Sequence, residues 1–152
     1  MVVDTLPKKL IKVGPFTYCE SVPKEAICTP AIQQRIREME ECVLTKRDIN
    51  EMTANQFGEA LRIVTIAETQ SFQRNVLTFI NPRLVYTSMD WELRIERCIN
   101  LLSRLRVERP HTVVFEALDK DGEPITIEGA GLRASRLMHG FDHINGVSRV
   151  SV

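Results

Sequence analysis

The sequence predicts an α+β fold, with mainly antiparallel sheets around a C-terminal helix. Three observations lead there. Apolar residues recur at helical spacing just after Thr29-Pro30. Short β-branched runs, separated by turn residues, then occupy the middle of the chain. A last helical segment carries His139 and His143, four positions apart.

The 152 residues suit a single domain, 1–152, with a real core. A hydrophobic share of 43% with 26% charged is that of an ordinary soluble globular chain. Lys+Arg and Asp+Glu are both 20, and a net charge of zero argues against a general nucleic-acid footprint. No stretch approaches the ~18 apolar residues of a membrane span. The start, Met1-Val2-Val3-Asp4-Thr5-Leu6-Pro7, reads neither as a secretory signal nor as a transit peptide. Cys19, Cys28, Cys42 and Cys98 form no C-x-x-C pair, so reduced thiols are expected.

In order along the chain, residues 1–28 read as an irregular arm, because Pro7, Gly14, Pro15 and Pro23 forbid a long helix. Thr29 is the expected N-cap and Pro30 the first residue of a helix ending near Thr45, with Ile32, Ile36, Met39 and Val43 on its apolar face. Residues 48–58 should be a loop. Residues 61–66 read as a buried strand, 76–80 as a second strand ended by Asn81-Pro82, and 84–87 as a third. The apolar positions of 92–106 fit no period. Thr112–Leu118 is a strand, Asp119-Lys120-Asp121-Gly122 a turn, and 124–128 its partner, with Gly129-Ala130-Gly131 breaking the strand. Residues 132–145 form the last helix, stopped by Asn145-Gly146.

On that helix, residues i and i+4 share a face, so His139 and His143 can grip one metal ion. The zinc-hydrolase pattern H-E-x-x-H places a general base directly after the first histidine. Here Gly140 stands there. Upstream, Cys98 offers a thiolate, and two imidazoles with one thiolate suit Zn2+ or Fe2+. Three protein ligands leave a fourth position for water, which is the catalytic arrangement.

Three segments in order carry a resemblance: Ile49-Asn50-Glu51-Met52-Thr53-Ala54-Asn55-Gln56, Glu96-Arg97-Cys98-Ile99-Asn100, and Met138-His139-Gly140-Phe141-Asp142-His143. They resemble the peptide deformylase motifs G-x-G-L-A-A-x-Q, E-G-C-L-S and Q-H-E-x-D-H. Ile80-Asn81-Pro82 and Val107-Glu108-Arg109-Pro110 resemble that family's I-N-P and V-x-R-P, and the match is collinear over about 12–150. The resemblance implies a peptide-deformylase-like fold and one divalent metal, Fe2+ or Zn2+, on Cys98, His139 and His143. It implies Gln56 and the backbone N–H of Ile99 as donors to the formyl oxygen, each typically worth ~3–4 kcal/mol in the transition state. Glu51, Glu96, Arg97 and Arg136 fall at positions expected to meet the peptide, and Asp142 at one that can orient a ligand imidazole.

The implied reaction removes the N-formyl group from the initiator Met of nascent peptides, releasing formate. It implies association with a ribosome, with neither nucleic acid nor membrane contacted directly. The compartment would be the cytoplasm, or the mitochondrion in a eukaryote. The departures fall on the motifs themselves. Gly140 replaces the glutamate that takes a proton from the attacking water, a loss of roughly 10²–10⁴-fold. Asp142, ~200° round the helix from Gly140, is no substitute. Ile49 and Glu51 replace two glycines of the first motif, Arg97 the glycine beside Cys98, and Ser135 and Arg136 precede the histidines where the family has apolar residues. The expected activity is therefore weak or lost, the alternative being an inactive relative that binds a peptide end or a protein.

Overall fold

The computed structural model describes residues 18–98 and 103–147; the side chains of Cys98, Ser103 and Leu105 lie outside that description. Its elements run α1 (Pro30–Thr45), β1 (Glu51–Thr53), β2 (Ile63–Gln70), β3 (Gln73–Thr87), β4 (Trp91–Cys98), β5 (Ser103–Pro110), β6 (Thr112–Leu118), β7 (Pro124–Ala130) and α2 (Leu132–Ile144). An antiparallel sheet has the order β1-β2-β3-β6-β7, and β4 and β5 form a separate two-stranded hairpin. The α+β class holds, with α2 closing the chain of elements. Among the described residues no helix is long and apolar enough to cross a membrane.

The five-stranded sheet is covered on both faces. Ile63 and Ile80 point to one side and pack with Ile32, Ile36, Met39 and Val43 of α1. Val64, Ile66 and Phe79 point to the other and pack with Ala134, Leu137 and Ile144 of α2. Successive residues of a strand face opposite ways, so a strand covered twice must be apolar throughout. That is why Ile63-Val64-Thr65-Ile66-Ala67 is buried without alternation. The one hydroxyl in this run is satisfied across the sheet, with Thr65 Oγ1 2.8 Å from Thr78 Oγ1, which in turn donates to Glu40 at 2.8 Å.

Four expectations need correction. Asn81-Pro82 does not end a strand. β3 runs on to Thr87 through a register shift against β6 between Ile80 and Arg83. Asn81 sits at φ 54°, where Asn is tolerated, and a bulge is where a strand accommodates Pro82's missing N–H. Its side chain clasps Val22, accepting from the backbone N–H at 2.8 Å and donating to the carbonyl at 2.9 Å. Gly129 does not break β7 either. A Cβ there would lie 2.7 Å from Leu137 Cδ1 and 3.1 Å from the backbone N of Ala134, so the glycine lets strand and helix touch. Residues 48–58 contain β1 and a 3-10 turn, Ala54–Phe57, rather than a loop alone. Thr29 occupies the N-cap position of α1, but its hydroxyl donates backwards to Ala26 O at 2.7 Å. Of the expected arm, residues 1–17 lie outside the described residues. From Tyr18 on it is pinned, with the Cys19 N–H donating to Ile144 O at 2.8 Å.

Candidate functional site

The site gathers on the face of α2 that looks toward β1 and the β4–β5 hairpin. His139 and His143 are both buried, with ring centroids 4.8 Å apart and planes inclined at 42°. Burial, helped by coulombic coupling to His139 and Arg109, pushes the His143 imidazole well below its ordinary pKa. A neutral imidazole is the form that binds metal. The expected third ligand, Cys98, ends β4, and its side chain lies outside the described residues, as does Ile99. Among the described residues no three His, Cys, Asp or Glu side chains are grouped to hold a metal. What is described, a buried neutral imidazole beside a second one on the same helical face, fits two positions of a nitrogen- and sulfur-rich divalent site.

Beside the histidines is a buried ionic cluster centred on Arg109. Arg109 of β5 is 2% exposed. It donates to both oxygens of Glu96, at 2.8 and 2.7 Å, and to Asp142 Oδ2 at 2.7 Å. Ser135 donates to Glu96 at 2.6 Å. Burial alone would raise the Glu96 pKa, but the bonds and charge of Arg109, with the Ser135 bond, outweigh it and hold the carboxyl below its usual range. Both Glu96 oxygens are thus engaged within the protein, which makes Glu96 a structural anchor. Asp142 is drawn to Arg109, so the cluster locks the hairpin to α2. In the sequence Glu96 and Asp142 show only as motif positions, Arg109 only in the Val107-Glu108-Arg109-Pro110 match, and Ser135 only as a departure.

Gln56 is placed by its own turn. Its side-chain oxygen accepts from the Thr53 backbone N–H at 2.9 Å and from the Thr53 hydroxyl at 3.1 Å, a reciprocal cap that turns the amide NH₂ away from Thr53. Asn55 ties the turn to α2 by donating to His143 O at 3.1 Å.

Glu51 lies almost buried against His139, whose Nδ1 is 2.9 Å from Glu51 Oε1. Arg136 is half-buried and donates to Ala67 O at 3.0 Å; with Glu68, Leu132 and Arg133 it lines a groove of about 410 Å³. Arg97 is separated from the others. It is exposed on the outer face of β4 with Trp91, Leu93 and Ile95, opposite to Glu96, because strand residues alternate.

Gly140 is set by packing. A Cβ built on it would stand 2.5 Å from Val64 Cγ1. The branched side chain of β2 thus fills the space into which a residue at 140 would project.

A profile of polypeptide deformylases matches residues 11–151. The chain is 33% identical to the peptide deformylase of Rhizobium meliloti over 98 residues, covering 63% of this chain and 56% of that protein. With the peptide deformylase of Finegoldia magna it is 32% identical over 117 residues, or 76% and 70% of the two chains. The matched stretch thus spans little more than half the length of several curated relatives. In three dimensions it resembles the Met-Ala-Ser-bound class I type b peptide deformylase of Acinetobacter baumannii, with a TM-score of 0.80 at 22% identity, covering 91% of this chain and 92% of that one. A peptide deformylase from Legionella pneumophila superposes with a TM-score of 0.75 at 26% identity, over 86% of this chain and 75% of that one.

Proposed function

The chain belongs to the polypeptide deformylase family, and from that premise we propose that it carries a deformylase-type metal site whose hydrolytic step is weak or lost. Cys98, His139 and His143 would hold one Fe2+ or Zn2+. Bound there, such an ion polarises a carbonyl and makes water a stronger nucleophile at neutral pH. The remaining roles fall to the chain. The Gln56 amide, oriented by Thr53, would donate to the formyl oxygen of an N-formylated peptide. The Arg109 cluster would hold α2 and the hairpin in register. No carboxylate follows His139 to take the proton from water and pass it to the leaving amine.

The observation that carries this reading is the position of Val64 Cγ1, 2.5 Å from where a Cβ at 140 would stand. The base is missing and its space is occupied as well, which also favours a site that binds a formylated nascent peptide, or another peptide end, without turning it over. The test is formate release from formyl-Met-Ala-Ser by metal-loaded protein. The wild-type rate should fall at least ~10²-fold below ordinary enzyme rates of ~1–10³ per second. Gly140→Glu alone should help little, whereas Gly140→Glu with Val64→Ala should raise the rate. Ordinary turnover by the wild type would overturn the proposal.

A further inference from the structure

We propose that Glu51 is the positioning residue of the His139 imidazole, holding the proton on Nδ1 and so presenting Nε2 to the site. The inference rests on the reading of His139 as a ligand given above. Three observations support it. First, Glu51 Oε1 and His139 Nδ1 are 2.9 Å apart, within hydrogen-bond range, and their side chains are only 12% and 7% exposed. Second, the other nearby carboxylate is a poorer partner. Glu96 Oε1 is 3.6 Å from the same nitrogen, and Glu96 already accepts from Arg109 and Ser135. Third, Glu51 projects from a paired strand, in register with Ile66 of β2, so its backbone is fixed by the sheet.

The chemistry follows from the two ring nitrogens. A carboxylate hydrogen-bonded to one nitrogen fixes the proton there, which leaves the lone pair on the other and makes it a better donor. The same geometry argues against Glu51 as a replacement base. Its Oε1 is engaged by the ring Nδ1 at 2.9 Å, so that oxygen is already committed to a hydrogen bond with His139. The residue that departs from the family's glycine is thereby given a role toward His139.

The experiment uses full-length protein labelled with ¹⁵N-histidine, metal-free and then titrated with Zn2+ against a chelator. Long-range ¹H–¹⁵N correlation should show His139 in the Nδ1–H tautomer. Glu51→Gln, which keeps an acceptor at that reach, should retain it. Glu51→Asp, which withdraws the carboxylate by one methylene, and Glu51→Ala should lose it, and both should bind Zn2+ about 10–100-fold more weakly than wild type. Wild-type tautomer and affinity in Glu51→Asp and Glu51→Ala would overturn the proposal. If the wild type binds no Zn2+, the ligand reading fails, and the tautomer in the metal-free protein still decides whether Glu51 orients the ring.

Discussion

Glycine inside a helix is ordinarily a weakness worth ~1 kcal/mol relative to alanine. At position 140 the balance is reversed, because the added methyl would meet Val64 Cγ1 at 2.5 Å, and valine has no flexible end to move aside. Gly140→Ala should therefore destabilise the protein by about 1–3 kcal/mol, the usual range for overpacking a core. In a Val64→Ala background the clash is gone and the same change should be neutral or stabilising, by up to ~1 kcal/mol. Urea denaturation of the four proteins tests this, and a Gly140→Ala effect of the same sign in both backgrounds would refute it. The histidine pair was legible from spacing alone, because i and i+4 share a face whatever surrounds them. The Gly140–Val64 contact was not, since it joins a helix to a strand far away in sequence and no local pattern encodes it. Glu51 was likewise visible only as a departure. Its approach to His139 depends on β1 forming where the composition suggested a loop.

The β4–β5 hairpin shows why an element can be missed. Trp91, Leu93 and Ile95 alternate with Glu92, Arg94 and Glu96, but the polarity is inverted: the apolar residues are exposed and Glu96 is buried. The inward charge is stable because the Arg109 side chain of β5, whose backbone lies opposite Glu92, reaches it, and α2 brings Asp142 and Ser135. Removing one member should expose that dependence. Arg109→Met leaves two buried carboxylates without their cation and should lower stability by roughly 3–5 kcal/mol at neutral pH. The pH dependence gives the sign. In the wild type the folded-state pKa of Glu96 is depressed, so its contribution is complete above the unfolded value of ~4.3 and is lost as pH falls through the lower folded value. Without Arg109 the desolvation of Glu96 prevails and its folded pKa rises. The variant should then gain stability as pH falls from 7 toward 5, where wild type is flat with respect to this group. Urea midpoints measured across that window would decide, and parallel curves for the two proteins would exclude the cluster as the cause.

At the scale of the whole molecule, β2 and β3 are shared property. Residues of these two strands alternate between the core under α1 and the core under α2, so neither face can open without disturbing the strands that line the other. The general α+β architecture was legible because strand and helix periods are local. The double covering was only implicit in the unbroken apolar run of β2. Two buried cysteines report on the two faces separately: Cys42 lies in the α1 core and Cys19 in the α2 core. Burial raises both thiols, that of Cys42 to about 11, so neither should react with a thiol reagent at pH 7–8 in the folded state. Cys28 is exposed and should react at once. Labelling followed by peptide mapping in increasing urea should then show Cys19 and Cys42 becoming reactive together, with one midpoint and one slope, because both are released by the same global opening. If Cys19 reacted at lower urea than Cys42, the α2 face, and with it the histidine pair, would be a separately opening unit resting on a sheet that α1 alone keeps folded.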